Sequence, residues 1–228
     1  MSAVLRGQQR AQRLIVRIPW VLYAGAAAEL LPPIVAAARW KRLGVPPRWI
    51  AGWSAFLVLG EAITLALAFR GVNNHWVNYL GTPLAAALVL WALAHWHPSR
   101  SGRRAVRLLI PVLAALWIAM IILFEDTSTF SVVAEPILGL LVLVAVLSML
   151  VARTMQETGR IRDQSWWWIG IGLMLVFGTT VAFAPAAYIL VQQAPDLLIR
   201  AYQIRAGLNV AAFLLITGGV LMLPAKES

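Results

Sequence analysis

The stretch VVAEPILGLLVLVAVLSMLVA occupies residues 132–152 and is followed directly by Arg153. Within it only Glu135 and Ser148 carry polar side chains, and the apolar residues are continuous rather than alternating with polar ones. An α-helix needs about 20 such residues to cross the hydrocarbon core of a bilayer, whereas a membrane-spanning β-strand is shorter and alternates in polarity. The stretch therefore predicts a transmembrane helix.

Six more apolar runs of similar length surround this one. The seven segments lie at residues 19–38, 50–69, 77–97, 108–124, 132–152, 165–191 and 198–223. The chain is 61% hydrophobic and only 12% charged, whereas a soluble domain is about half apolar and about a quarter charged. The connections are too short for a soluble domain, so the sequence predicts an all-α membrane protein with a single seven-helix domain over residues 19–224.

The basic residues are distributed unevenly among the connections. Most of them follow the first, third, fifth and seventh segments: Arg39, Lys41, Arg42, Arg48, Arg100, Arg103, Arg104, Arg107, Arg153, Arg160, Arg162 and Lys226. Cytoplasmic connections carry an excess of Lys and Arg, so we expect an external N-terminus and a cytoplasmic C-terminus. The net charge of +10 then indicates anionic lipid head groups, and not nucleic acid, as the partner.

The residues before the first apolar run form a separate unit. Four arginines in this region are spaced 4, 3 and 4 residues apart: Arg6, Arg10, Arg13 and Arg17. This spacing places them on one face of a helix, which predicts a basic amphipathic helix over residues 1–18 on a membrane surface. If that surface is cytoplasmic, either the first run does not cross or the count is not seven. A cleavable signal peptide is disfavoured because Glu29 and two prolines interrupt its apolar core.

Tryptophans cluster where apolar runs meet charged segments. They are Trp20, Trp40, Trp49, Trp53, Trp76, Trp96, Trp166, Trp167 and Trp168. Trp is enriched at both membrane–water interfaces, so we interpret the cluster as an aromatic belt.

Four charged residues stand out within the predicted spans, away from their first three residues: Glu29, Glu61, Glu135 and Arg205. A charge at the centre of a membrane helix costs roughly 2.5 to 3.5 kcal/mol on insertion scales, so such residues indicate a functional site by default. The first, second and seventh helices of a closed bundle are usually neighbours. We therefore expect Arg205 to pair with Glu61 or Glu29, which leaves one carboxyl without a basic partner.

A polar stripe accompanies Arg205 on the last segment. Tyr202 precedes it by three residues and Asn209 follows it by four, so the three share a helix face. Two interpretations remain open. The stripe is either a buried ion pair that holds helices in register or a ligand pocket in the outer half of the bundle.

No catalytic or cofactor motif accompanies these charges. Nucleophile elbows, phosphate-binding loops and paired-histidine motifs are absent from the sequence. Retinal would require a lysine within the bundle, and the only lysines are Lys41 and Lys226, so the chain is not a retinal protein. His75, His95 and His97 cannot converge on one metal ion, because the first lies at the opposite end of the third segment from the other two. We expect no cofactor and no metal.

Residues 73–84 read NNHWVNYLGTPL. This stretch resembles a family of small uncharacterised bacterial seven-helix membrane proteins, in which an Asn-x-Trp loop is followed by Tyr-x-x-Thr-Pro. The family often has a glutamate where this chain has Ala85. From the residues themselves, Asn78 and Thr82 share a helix face and either stabilise the local structure or cover the Arg205 stripe.

Three functions are compatible with these features. The first is a non-enzymatic membrane protein, receptor-like or a carrier, that binds a small molecule in the polar pocket. Its expected ligand-binding residues are Glu29, Glu61, Asn78, Tyr202, Arg205 and Asn209. The second is an accessory subunit of a larger membrane complex, and the third is an intramembrane enzyme that modifies lipid. The gathering of polar side chains at one depth favours the first.

Overall fold

The computed structural model describes residues 20–125, 131 and 133–222. These residues form α-helices and two single turns of 3-10 helix, with no strand in the described part of the chain. The α-helices are α1 Trp20–Arg39, α2 Val45–Phe69, α3 His75–Trp96, α4 Arg100–Phe124, α5 Ala134–Thr154, α6 Ser165–Gln193 and α7 Pro195–Leu221. The predicted basic helix over residues 1–18 lies outside the described residues.

Six of the described helices, α2 to α7, are long and apolar enough to cross a membrane. This confirms the prediction of an all-helical, multi-pass membrane protein. Helices α2 and α4 begin more than one turn before their apolar runs. The first turn of α2 contains prolines, which suit that position because the amide of a first-turn residue has no partner within the helix. At α4 the Ser99 hydroxyl accepts a hydrogen bond from the Gly102 amide at 3.1 Å and caps the helix.

The helices form a ring. Helix α1 packs against α2 and α7, α2 against α3, α3 against α5, α5 against α6, and α6 against α7. Helix α4 packs mainly against α3 and less extensively against α5. Six helices therefore enclose a central space, and α4 lies on the outside of the ring.

The closest helix contact joins α6 and α7, and glycine makes it possible. A Cβ at Gly172 would lie 2.7 Å from the backbone oxygen of Ala212, and one at Gly219 would lie 2.8 Å from that of Ser165. Small residues let membrane helices approach until their backbones touch, and van der Waals packing then stabilises the pair.

Three tryptophans assigned above to the interfacial belt are core residues instead. Trp53, Trp96 and Trp166 are buried, whereas Trp20, Trp40, Trp49 and Trp76 are exposed. The sequence places all of them near the end of an apolar run, but it does not reveal which side of each helix meets a neighbour.

We expect Gly172→Ala to destabilise the protein, because overpacking a close contact costs about 1 to 3 kcal/mol. The melting temperature in detergent should fall by several degrees. Gly178→Ala is the matched control, since it lies on the same helix and a Cβ at Gly178 would have no atom within 4 Å. Equal melting temperatures for the two variants would contradict this account of the α6–α7 contact.

Candidate functional site

The ring encloses a cavity of about 820 Å³. Its wall comes from α1, α2, α3, α5, α6 and α7, and includes the C-terminal half of α2 and the N-terminal halves of α3, α5 and α7. These helix halves lie at the end of the bundle opposite the arginine-rich connections. The polar side chains in the wall are Glu29, Glu61, Thr64, Asn74, Asn78, Thr82, Glu135, Thr180, Arg205 and Asn209.

Five of the six expected ligand-binding residues line this cavity: Glu29, Glu61, Asn78, Arg205 and Asn209. Tyr202 is not among the lining residues. Its ring packs edge-on against Phe183, with the ring centroids 4.7 Å apart. Tyr202 therefore contacts the site only indirectly, because it packs against the Phe183 ring and Arg205 contacts that same ring.

Arg205 does not form the direct ion pair that the sequence suggested. Its guanidinium carbon lies 4.8 Å from the centroid of the Phe183 ring, a cation–π contact. Among the described residues, no carboxylate oxygen lies within the 4.0 Å that defines an ion pair with it. A guanidinium has five N–H donors and no acceptor, so Arg205 brings unused hydrogen-bonding capacity to the cavity.

Three carboxyls surround Arg205 at longer range. Glu29, Glu61 and Glu135 each interact electrostatically with its charge. The sequence identified Glu135 as a charge at membrane depth but gave no reason to bring it to this site, because α5 reaches the cavity only through the closure of the ring. The cavity thus combines one guanidinium with three carboxyls.

Glu29 has the least exposed surface of these acids. Only 7% of its surface is exposed, and its Oε2 is buried without a hydrogen-bond partner in the described protein. Its backbone oxygen accepts a hydrogen bond from the Ser54 hydroxyl at 2.5 Å, which holds α1 and α2 together at this level. A buried carboxylate oxygen costs free energy unless a donor reaches it. Glu29 therefore offers an acceptor to whatever occupies the cavity.

Aromatic side chains form the floor of the cavity. The Trp53 ring stacks on Phe213 at 5.7 Å and on Phe177 at 6.2 Å, and Trp53 and Phe213 are each only 1% exposed. These stacked rings separate the polar cavity from the helix ends that carry the arginine-rich connections. The site is accordingly a pocket rather than a through-going channel.

No protein-family model, curated protein or solved structure matches this chain.

Glu125 anchors the connection between α4 and α5 near the cavity. Its Oε1 accepts hydrogen bonds at 2.8 Å from the Ser131 hydroxyl and from the amides of Val133 and Ala134, which caps the N-terminus of α5. Burial alone would raise the pKa of the Glu125 carboxyl. The two amides and the hydroxyls of Ser131 and Tyr79 outweigh that effect, so its pKa is lower than usual.

We expect Glu125→Gln to lower the melting temperature by about 2 to 4 °C near neutral pH, because losing a helix cap costs about 1 kcal/mol. The ionised cap contributes fully above the pKa of an unfolded glutamate, about 4.3, and its contribution is lost as the pH falls through the lower native value. Melting curves recorded from neutral pH into acid should therefore converge for wild type and variant. A difference that stays constant into acid would contradict the assignment.

Proposed function

We propose that this chain is a non-enzymatic membrane protein that binds a small molecule in the cavity, as a receptor-like sensor or a carrier. The observation that carries the proposal is Arg205, whose guanidinium lines the cavity at membrane depth with no carboxylate among the described residues close enough to pair with it. A charge at this depth is costly unless a partner neutralises it. An anionic or carbonyl group of the ligand supplies that partner.

The cavity also contains more carboxyls than basic groups. Three glutamates share it with one arginine. Protons or a cationic group of the ligand offset this excess of negative charge. The site therefore suits a molecule that carries both an acceptor for Arg205 and a donor for Glu29, with proton exchange at the remaining carboxyls.

The alternative of an accessory subunit with a structural ion pair is less well supported. That alternative requires Arg205 to bond directly to a glutamate in a dry contact, and in the described part of the chain it contacts Phe183 instead. An intramembrane lipid-modifying enzyme has no support beyond the carboxyls themselves.

We further propose that all seven helices cross the bacterial cytoplasmic membrane with the N-terminus external. The orientation is supported by the charge asymmetry of the connections, and the count of seven helices in a bacterial membrane by the resemblance at residues 73–84 to small bacterial seven-helix membrane proteins. The cavity then faces the outside of the cell.

Substitution of Arg205 tests the binding function. We expect Arg205→Ala, purified in mild detergent, to retain at least about tenfold less of a small molecule that copurifies with wild type. The reason is that a hydrogen bond to a charged group contributes about 1.5 to 3 kcal/mol. Mass spectrometry of extracts from equal amounts of protein provides the measurement. Arg200→Ala is the control, since Arg200 is exposed on the same helix and does not line the cavity. Identical extracts from all three proteins would overturn the proposal.

Cysteine labelling tests the orientation, because the chain has no cysteine of its own. A membrane-impermeant maleimide should label Asn73→Cys in intact cells, and should label Ser101→Cys only after the membrane is opened. Ser2→Cys should behave as Asn73→Cys does if the first helix crosses. Labelling of Ser101→Cys from outside would reverse the orientation, and protection of Ser2→Cys would change the number of crossings.

A further inference from the structure

The wall of the cavity includes opposite faces of α2 and α3. Glu61 and Asn78 line it, and so do Leu59 and Leu80, each two residues away on the same helix. Residues two apart on an α-helix point about 200° away from each other. A cavity that touches both faces of two adjacent helices extends through the space between them.

The outward faces in this region are apolar and uncovered. Leu59 is 57% exposed, Ile63 40%, Leu80 62% and Leu84 56%, and all four line the cavity. They lie on helices that are long and apolar enough to cross a membrane, so the surface they form meets acyl chains. The cavity is therefore open toward the bilayer as well as toward the α2–α3 connection.

Glycines keep the space between the two helices open. Apart from the neighbouring turns of α2 itself, no described atom lies within 4 Å of the position that a Gly60 Cβ would occupy, and the nearest such atom to that of Gly81 is Phe56 Cε1 at 3.9 Å. Toward the connection, the Asn74 side-chain amide donates a hydrogen bond to the Thr64 backbone oxygen at 3.0 Å. We call this opening the α2–α3 window; it is bordered by Leu59, Gly60, Ile63, Leu80, Gly81 and Leu84.

The polar side chains of the cavity determine which chemical groups of a ligand it can bind. The buried Oε2 of Glu29 has no donor among the described residues, so a ligand that carries an N–H or O–H group can bond to it. The guanidinium of Arg205 matches a phosphate or carboxylate. Because three carboxyls face a single guanidinium, a ligand with only negative charge is disfavoured. A group that carries both an ammonium and a phosphate complements the site.

We propose that the ligand is a membrane lipid whose head group carries a primary ammonium and a phosphate, and that it enters from the bilayer through the α2–α3 window. This inference rests on the binding function proposed above and names its ligand class. The phosphate bonds to Arg205, the ammonium donates to Glu29, and the acyl chains pass between Gly60 and Gly81 onto the exposed leucines. The lipid comes from the leaflet at the end of the bundle opposite the arginine-rich connections.

The chemistry separates this lipid from two common alternatives. A quaternary ammonium head group has no N–H and leaves the Glu29 oxygen without a donor. A phosphoglycerol head group has hydroxyl donors but brings no positive charge to balance the glutamates.

Native mass spectrometry of the full chain in mild detergent tests the proposal. The probes are phosphatidylethanolamine, phosphatidylcholine and phosphatidylglycerol with identical acyl chains, added at equal concentrations. We expect wild type to retain the ethanolamine lipid several-fold more than the other two. Arg205→Ala should reduce retention of all three lipids, because each carries the phosphate, and Glu29→Ala should abolish the preference for ethanolamine. Equal retention of all three lipids by wild type would overturn the proposal.

The window is tested with a bulky substitution. We expect Gly60→Leu to reduce retention of phosphatidylethanolamine by about tenfold, or about 1.4 kcal/mol. Gly81→Leu should do the same, and provides a second variant if the first does not fold. Gly52→Leu is the matched control, because Gly52 is an exposed glycine on the same helix, lies outside the cavity and would have no atom within 4 Å of an added Cβ. Unchanged retention in both window variants would overturn entry by this route.

A soluble head-group molecule distinguishes failure of the lipid inference from failure of the proposed binding function. O-phosphoethanolamine at millimolar concentration should raise the melting temperature of wild type and of Gly60→Leu, since a soluble molecule reaches the cavity without passing the window, and should leave that of Arg205→Ala unchanged. If it does so while the three lipids are retained equally, the lipid inference falls and the binding function stands. If neither this probe nor any of the lipids binds, the lipid inference falls, and the binding function falls with it if wild type and Arg205→Ala also give identical extracts.

Discussion

The position of Arg205 is governed by the high cost of a charge surrounded by hydrocarbon. A guanidinium on a membrane helix must face either a protein partner or a polar space, and here it faces a cavity that also holds three carboxyls. The ring of six helices provides that space, and α4, which contributes no residue to the cavity wall, packs on the outside. The outward surfaces of the helices can then remain apolar, as contact with lipid requires.

Different interactions stabilise the two halves of the bundle. Toward the arginine-rich connections, helices touch closely through glycines such as Gly172 and through the stacked rings of Trp53, Phe177 and Phe213. Toward the other end, α2 contributes no buried residue after Ser54, and polar groups line the space between helices. A tightly packed half therefore supports a more open half, so a cavity can exist without loss of the fold.

The open half is held by a few specific hydrogen bonds. Ser54 bonds to the backbone of Glu29, Asn74 to the backbone of Thr64, and the Trp117 indole to the backbone of Tyr79. The first bond joins α2 to α1, the second joins the start of α3 to α2, and the third joins α4 to α3. Such bonds orient the helices while leaving the charged side chains of the cavity free to meet a ligand.

The sequence by itself determined that this protein is helical, multi-pass and embedded in a membrane. Apolar runs of this length and continuity are expected where lipid, and not water, surrounds the helices. It also identified Glu29, Glu61 and Arg205, since a charge within an apolar run is visible without coordinates. Only the tertiary structure decided that Arg205 contacts Phe183 rather than a glutamate, that Glu135 joins the site and that Trp53 forms its floor. These outcomes depend on which helices are neighbours and how they are rotated, and nearly uniform apolar helices carry little of that information in their periodicity.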